Sequence, residues 1–165
     1  MQPITESQIR GSFVNCSQGE AKRLTVPKDL EEQPWDQLDF LGWCDPGAPD
    51  RGYLVAERDG KLIGITLKAA KSAGRGFTSR SMCSLCMTTR TGGGVVLMAA
   101  RRSGAAGRQG NTVGQYLCTD LACSLYIRGK KQAATEPGLD ETLSVEEKTI
   151  RLTNNLTLFV DKVLR

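Results

Sequence analysis

Alternating apolar and polar positions mark residues 53–58 (YLVAER) and 61–68 (KLIGITLK), with Asp59-Gly60 between them. Asp-Gly accepts the two positive φ angles of a type I′ turn, so the two runs predict a β-hairpin. Residues 95–100 (VVLMAA) and 112–118 (TVGQYLC) predict two more strands, joined by RRSGAAGRQGN, which reads as a flexible basic loop. The period turns helical near the end of the chain. Val145, Leu152, Leu156, Phe159, Val160 and Val163 form one stripe, and Ser144 with Glu147 makes a capping box, predicting a long core-facing helix over 145–164. A short helix over 4–14 starts at Thr5, with Gln8 completing its capping box, and another covers 120–128. Residues 15–50 hold Pro27, Pro34, Pro46 and Pro49 and look irregular. Their bulky residues, Trp35, Leu38, Phe40, Leu41 and Trp43, are expected in a loop packed over a sheet, or else in an exposed aromatic binding loop. Residues 69–82 are expected to connect and 130–143 to link.

The length of 165 residues suits one domain over 1–165, with 80–130 as a cysteine-bearing subdomain. No run of 18 uncharged apolar residues spans a membrane, and MQPITESQIR lacks the apolar core of a secretion signal. The expected location is cytoplasmic. The net charge of +4 conceals an asymmetry: residues 68–131 hold eleven Lys and Arg against one acid, Asp120. The flanking segments are acidic, so the basic field belongs to the cysteine-bearing stretch.

The six cysteines include two close pairs, Cys83/Cys86 (C-x2-C) and Cys118/Cys123 (C-x4-C), in a chain with no histidine. In a cytosolic protein such pairs point to metal rather than to disulfides, and without histidine the ligands must be thiolates. A knuckle turn can present Cys83 and Cys86, while a strand end and a helix start present Cys118 and Cys123. This is a treble-clef-like arrangement holding one structural zinc with no open position. The expected fold class is α+β, an antiparallel sheet with that zinc finger and a long C-terminal helix. Arg80, Arg90 and Arg128 are expected to offset the charge of the four thiolates. Two disulfides, or four free core cysteines, are the alternatives, and Cys16 and Cys44 are left as free thiols.

Nothing in the sequence supports an enzyme. No histidine can serve as a base, Glu31/Glu32 and Glu146/Glu147 read as solvated or helix-dipole residues, and GAAGRQGNTVG lacks the Gly-Lys-Ser/Thr ending of a phosphate loop. No small-molecule substrate is expected.

The phrases LGWCDP, MCSLC and GRQGNTVGQYLCTDLACSLYIRG resemble the elongation factor G-binding protein family, specifically its C-terminal treble-clef zinc-finger domain. The resemblance runs from about Phe13 to Leu164, and Cys83, Cys86, Cys118 and Cys123 match the family's zinc ligands. It implies binding to elongation factor G, a translational GTPase that the related fusidic acid resistance proteins help release from the drug-stalled ribosome. Those proteins carry a helical bundle ahead of this domain, whereas about a dozen residues precede Phe13 here. That departure leaves factor binding as what the resemblance implies and leaves drug resistance open.

Three readings stay open on the sequence: a non-enzymatic module that binds elongation factor G at or off the ribosome, a zinc finger that binds rRNA or another RNA, and a stable zinc-stapled fold whose basic residues merely solvate it. The basic segment suits an acidic protein partner and phosphates alike, but its few aromatics, Phe77, Tyr116 and Tyr126, provide little stacking surface. Arg101, Arg102 and Arg108, with Asn111 and Thr112, are the candidate partner contacts, because guanidiniums in a Gly-rich loop pair well with carboxylates or phosphates. A solvated loop is the alternative.

Overall fold

The computed structural model describes residues 1–70, 80–132 and 141–165. Two short helices open the chain, α1 (Glu6–Ser12) and α2 (Gln18–Arg23). Thr5 and Gln8 cap α1 reciprocally, as expected, and Ser17 and Glu20 do the same for α2. Arg10 clamps the pair: its Nη1 donates to the carbonyls of Ala21, Lys22 and Leu24 at 3.0, 2.8 and 2.9 Å. These are carbonyls that the end of α2 leaves without helical partners.

Strands β1 (Phe40–Asp45), β2 (Ala48–Arg58) and β3 (Lys61–Ala69) form an antiparallel meander. The β2–β3 turn is the expected one, with Asp59 and Gly60 at φ 51° and 72°. The stretch 15–50, expected to be irregular, instead contains α2, two single turns of 3-10 helix and β1. Its turn-rich phrase is the β1–β2 hairpin: Asp45 Oδ1 accepts from Gly47 N at 2.9 Å, an Asx turn built into the strand end. Trp35, Leu38 and Trp43 are buried, which rules out an exposed aromatic loop.

Two very short strands, β4 (Ser81–Met82) and β5 (Thr89–Arg90), pair with each other. Then β6 (Val95–Arg101) and β7 (Thr112–Cys118) complete a five-stranded antiparallel sheet of order β1-β2-β3-β6-β7. The stretch between them is not a flexible loop. It holds a one-turn helix, α3 (Gly104–Arg108), and Ser103 ties it to the end of the C-terminal helix, donating from N to Val163 O (2.8 Å) and from Oγ to Leu164 O (3.0 Å). Helices α4 (Cys123–Ile127) and α5 (Val145–Leu164) follow, α5 capped by Ser144 and Glu147 as expected. Most of the expected connector (71–79) and linker (133–140) lies outside the described residues.

The sheet separates two cores. Leu54, Ala56, Ile65, Leu67, Met98 and Leu117 face α5, and Tyr53 and Val55 face α1, α2, Trp35 and Trp43. The α5 stripe buries Leu152, Leu156, Phe159, Val160 and Val163, but Val145, expected in it, is exposed. Arg58 anchors the helix by a two-point contact with Asp161, at 3.2 and 3.3 Å. Phe159 is fully buried, and Phe159→Ala should lower stability by about 3–5 kcal/mol. A denaturant melt checks this, and a loss under about 1 kcal/mol, the range of ordinary exposed-site changes, contradicts the packing.

Candidate metal centre

The ligand-bearing turns are shaped by local backbone bonds. Between β4 and β5, Cys83 N donates to Thr88 O (3.0 Å) and Met87 N to Cys83 O (2.9 Å), with Met87 at φ 61°. The resulting knuckle turns the side chains of Cys83 and Cys86 inward. Ser84 N donates to Tyr116 O at 2.7 Å, which docks the knuckle on the outer edge of β7. Cys118 ends β7, Leu121 reverses the chain at φ 54°, and Cys123 opens α4.

The four sulfurs converge. Cys83 and Cys123 Sγ lie 3.7 Å apart, Cys86 and Cys118 Sγ 3.6 Å apart, and all four fall within 4.8 Å of one another. A tetrahedral site with Zn–S near ~2.3 Å places its sulfurs about 3.8 Å apart, so the cluster has nearly the size that zinc requires. The separations are far beyond a disulfide's S–S bond of about 2.05 Å. All four cysteines are buried. Crowding splits their acidities. Hydrogen bonds from Cys118, Cys123 and Cys86 push Cys83 down, while Cys123 is pushed up by its hydrogen bonds with Cys118, Cys83 and Cys86 and by burial. A divalent cation removes that conflict by stabilising all four thiolates together. The four cysteines form a zinc-binding site, closed to substrate by its own ligands.

Zinc with four thiolates carries two negative charges, and cations approach it. Arg90 stacks 4.5 Å over the Tyr126 ring and reaches Asp120 at 3.4 Å. Asp120 also accepts from Tyr126 Oη (2.5 Å) and pairs with Lys131 (2.8 Å). Helix α5 contributes through the knuckle carbonyls: Arg151 Nη2 donates to Cys86 O (3.1 Å) and Asn155 Nδ2 to Leu85 O (3.0 Å). These two side chains were not singled out from the sequence. Asn155 and Arg151 sit one turn apart beside the buried stripe, which marks them as neighbours of a core-facing surface but does not reveal their partners. Arg128 serves elsewhere, donating to both carboxylate oxygens of Asp39 at 2.6 and 2.9 Å.

One glycine lets the ligand loop close on the sheet. A Cβ at Gly42 in β1 would lie 2.7 Å from both Leu121 Cβ and Leu121 O. Gly42→Ala must therefore push the Cys118–Cys123 loop outward, and a loss of about 1–3 kcal/mol is expected with zinc retained in the folded fraction. Thermal melts with metal analysis check this; an unchanged melting temperature contradicts the contact.

The candidate partner residues lie at the other end of the β6–β7 hairpin. Val95 pairs with Cys118 at the metal end and Arg101 with Thr112 at the far end, six residues or roughly 20 Å along the strand. Arg101, Arg108, Asn111 and Thr112 are exposed and Arg102 is half-buried. Cys16 and Cys44 are outside the cluster; Cys44 Sγ donates to Thr119 O at 3.0 Å. Metal analysis should return one zinc per chain. Cys83→Ser and Cys118→Ser should abolish cooperative unfolding, whereas Cys16→Ser and Cys44→Ser should stay within about 1 kcal/mol of wild type. Similar losses at all four positions would contradict the ligand set.

Among the described residues no helix is long and apolar enough to cross a membrane. No curated protein and no solved structure matches the chain. The family model described as FBP C-terminal treble-clef zinc-finger matches residues 8–163. That span includes both sheet faces, the four-cysteine cluster and nearly all of α5. The chain therefore belongs to the FBP C-terminal treble-clef zinc-finger family.

Proposed function

We propose that this protein is a non-enzymatic, cytoplasmic binding module that docks on elongation factor G and modulates its release from the ribosome. The family membership and the resemblance of the zinc-finger phrases to the elongation factor G-binding proteins support this reading. The chain acts as one binding unit over 1–165, with the zinc-bearing subdomain at 80–130.

The observation that carries the reading is the anchored basic turn between β6 and β7. Arg102 N donates to Asn111 O (2.9 Å) and Asn111 N to Ala106 O (3.1 Å), closing the turn on itself. A Cβ at Gly107 would lie 1.8 Å from Arg102 O, so the turn closes only around glycine. With Ser103 fixed to the end of α5, the turn is ordered before it meets a partner, which lowers the entropic cost of binding. It presents Arg101, Arg102 and Arg108 with Asn111 and Thr112. Guanidiniums held this way suit the carboxylates of an acidic protein surface.

Replacing Arg101, Arg102 and Arg108 together with Ala should leave zinc content and melting temperature intact. Binding to purified elongation factor G should weaken, by a larger factor at low than at high ionic strength. Calorimetry at two salt concentrations checks this, and wild-type affinity in the triple variant at low salt rules the turn out as the interface. The basic segment also favours RNA as a second partner. A loss confined to rRNA binding, with factor binding untouched, transfers the turn to that reading.

A further inference from the structure

A second basic feature lies on the sheet face that carries α1 and α2. Strands β3 and β6 pair only at Lys68–Ala99 and Ala69–Met98. Beyond that point they part, and buried Asn15 spans the gap. Its Nδ2 donates to Thr66 O (3.0 Å) and Arg101 O (3.1 Å), and its Oδ1 accepts from Thr66 N (2.8 Å) and Oγ1 (3.1 Å). The parting opens a polar cleft of about 430 Å³ lined by Arg23, Arg51, Lys68 and Arg101, with Glu20 and Asp45 as its carboxylates.

The four cations come from α2, β2, β3 and β6, so four separate elements aim positive charge at one cavity. Both carboxylates are engaged in the fold's own hydrogen bonds, and Glu20 also interacts electrostatically with Arg101 and Arg23. Glu20 accepts from Ser17 N at 2.8 Å as the α2 cap, and Asp45 accepts from Gly47 N at 2.9 Å and Tyr53 Oη at 3.0 Å. Among the described residues none of the four cations forms a salt bridge, although Arg10, Arg58, Arg90, Arg128, Lys131, Lys148 and Arg151 do. Arg51 and Lys68 stand directly opposite each other in the β2–β3 register, where like charges destabilise a sheet. The fold thus holds two like charges side by side in the lining of the cleft.

We propose that this cleft binds a phosphate-bearing ligand through Arg23, Arg51, Lys68 and Arg101. Four cations around so small a volume match a ligand that concentrates several negative charges within a few ångströms. Linked phosphates do so, whereas protein carboxylates each bring one charge on a separate side chain. Three of the four cations are guanidiniums, whose fork pairs bidentately with phosphate oxygens. Free polyphosphates and the phosphates of an RNA backbone share this chemistry. The site does not depend on the factor-binding reading: it opens on a sheet face and shares only Arg101 with the anchored turn.

The test uses the zinc-loaded full chain at low salt, titrated calorimetrically with sodium tripolyphosphate, a short single-stranded RNA and a polyglutamate peptide. The variant is Arg51→Gln/Lys68→Gln, which leaves the turn's arginines in place. Wild type should bind at least one phosphate probe, and the double variant should bind it about tenfold or more weakly, a loss of about 1.4 kcal/mol. Its melting temperature should equal or exceed that of wild type, since a like-charge pair has been removed. Binding of tripolyphosphate assigns the cleft to free phosphate ligands, and binding of RNA alone assigns it to a nucleic-acid backbone. The proposal is overturned if neither phosphate probe binds, if polyglutamate binds in their place, or if the double variant binds as tightly as wild type. Should the double variant fail to fold, Arg23→Gln on the exposed face of α2 carries the same comparison. Loss of factor binding in an Arg102→Ala/Arg108→Ala variant with phosphate binding retained, or loss of phosphate binding in Arg51→Gln/Lys68→Gln with factor binding retained, separates the two readings.

Discussion

Four thiolates converging on one zinc join parts of the chain that have little else to hold them. The knuckle formed by β4 and β5 is two residues wide on each side, and a ladder that short is marginal without tertiary support. It is held by the metal, by Ser84 on β7 and by Asn155 and Arg151 of α5. The cysteines are themselves part of the larger core, packed with Leu85, Leu121, Leu152 and Leu156. The zinc therefore sits inside the hydrophobic layer between sheet and helix. Contact between Leu121 and Gly42 carries its influence to β1 at the opposite edge of the sheet.

The same geometry sorts the positive charge. Arg90 and Arg151 approach the zinc end, where the four thiolates and Asp120 are negative. Arg101, Arg102 and Arg108 project from the opposite end of the β6–β7 hairpin. Lys68 and Arg51 face the cleft beneath α2. The cations thus separate into a group beside the metal site and groups at the far turn and in the cleft. The hairpin between them separates the metal site from the turn.

Features encoded locally were legible in the sequence. Asp59-Gly60, the Thr5/Gln8 and Ser144/Glu147 boxes, the α5 stripe and the paired cysteines each need only a few neighbouring residues to specify them. The errors came where local chemistry admits two outcomes. The turn residues around Pro46 and Pro49 suggested irregular chain, yet turn residues also close hairpins, and β1 pairs with β2 there. The capping box Ser17/Glu20 was present as a helix signal in a stretch dominated by prolines. Gly104, Gly107 and Gly110 suggested flexibility, but the turn is ordered by Ser103 bonding to α5, sixty residues along the chain, a contact that no local pattern encodes. The cleft was hidden for the same reason, since Arg23, Arg51, Lys68 and Arg101 meet only when the sheet is assembled.

The central claim is that zinc holds the β6–β7 hairpin, the knuckle and α5 together as one cooperative unit. Amide hydrogen exchange on the full chain, before and after zinc removal by a high-affinity chelator, tests it most directly. The account predicts that chelation strips protection from Val95–Arg101, Thr112–Cys118 and the buried side of Val145–Leu164 together, and that returning zinc restores it. Protection of α5 and β6–β7 that survives in the verified metal-free protein would contradict it.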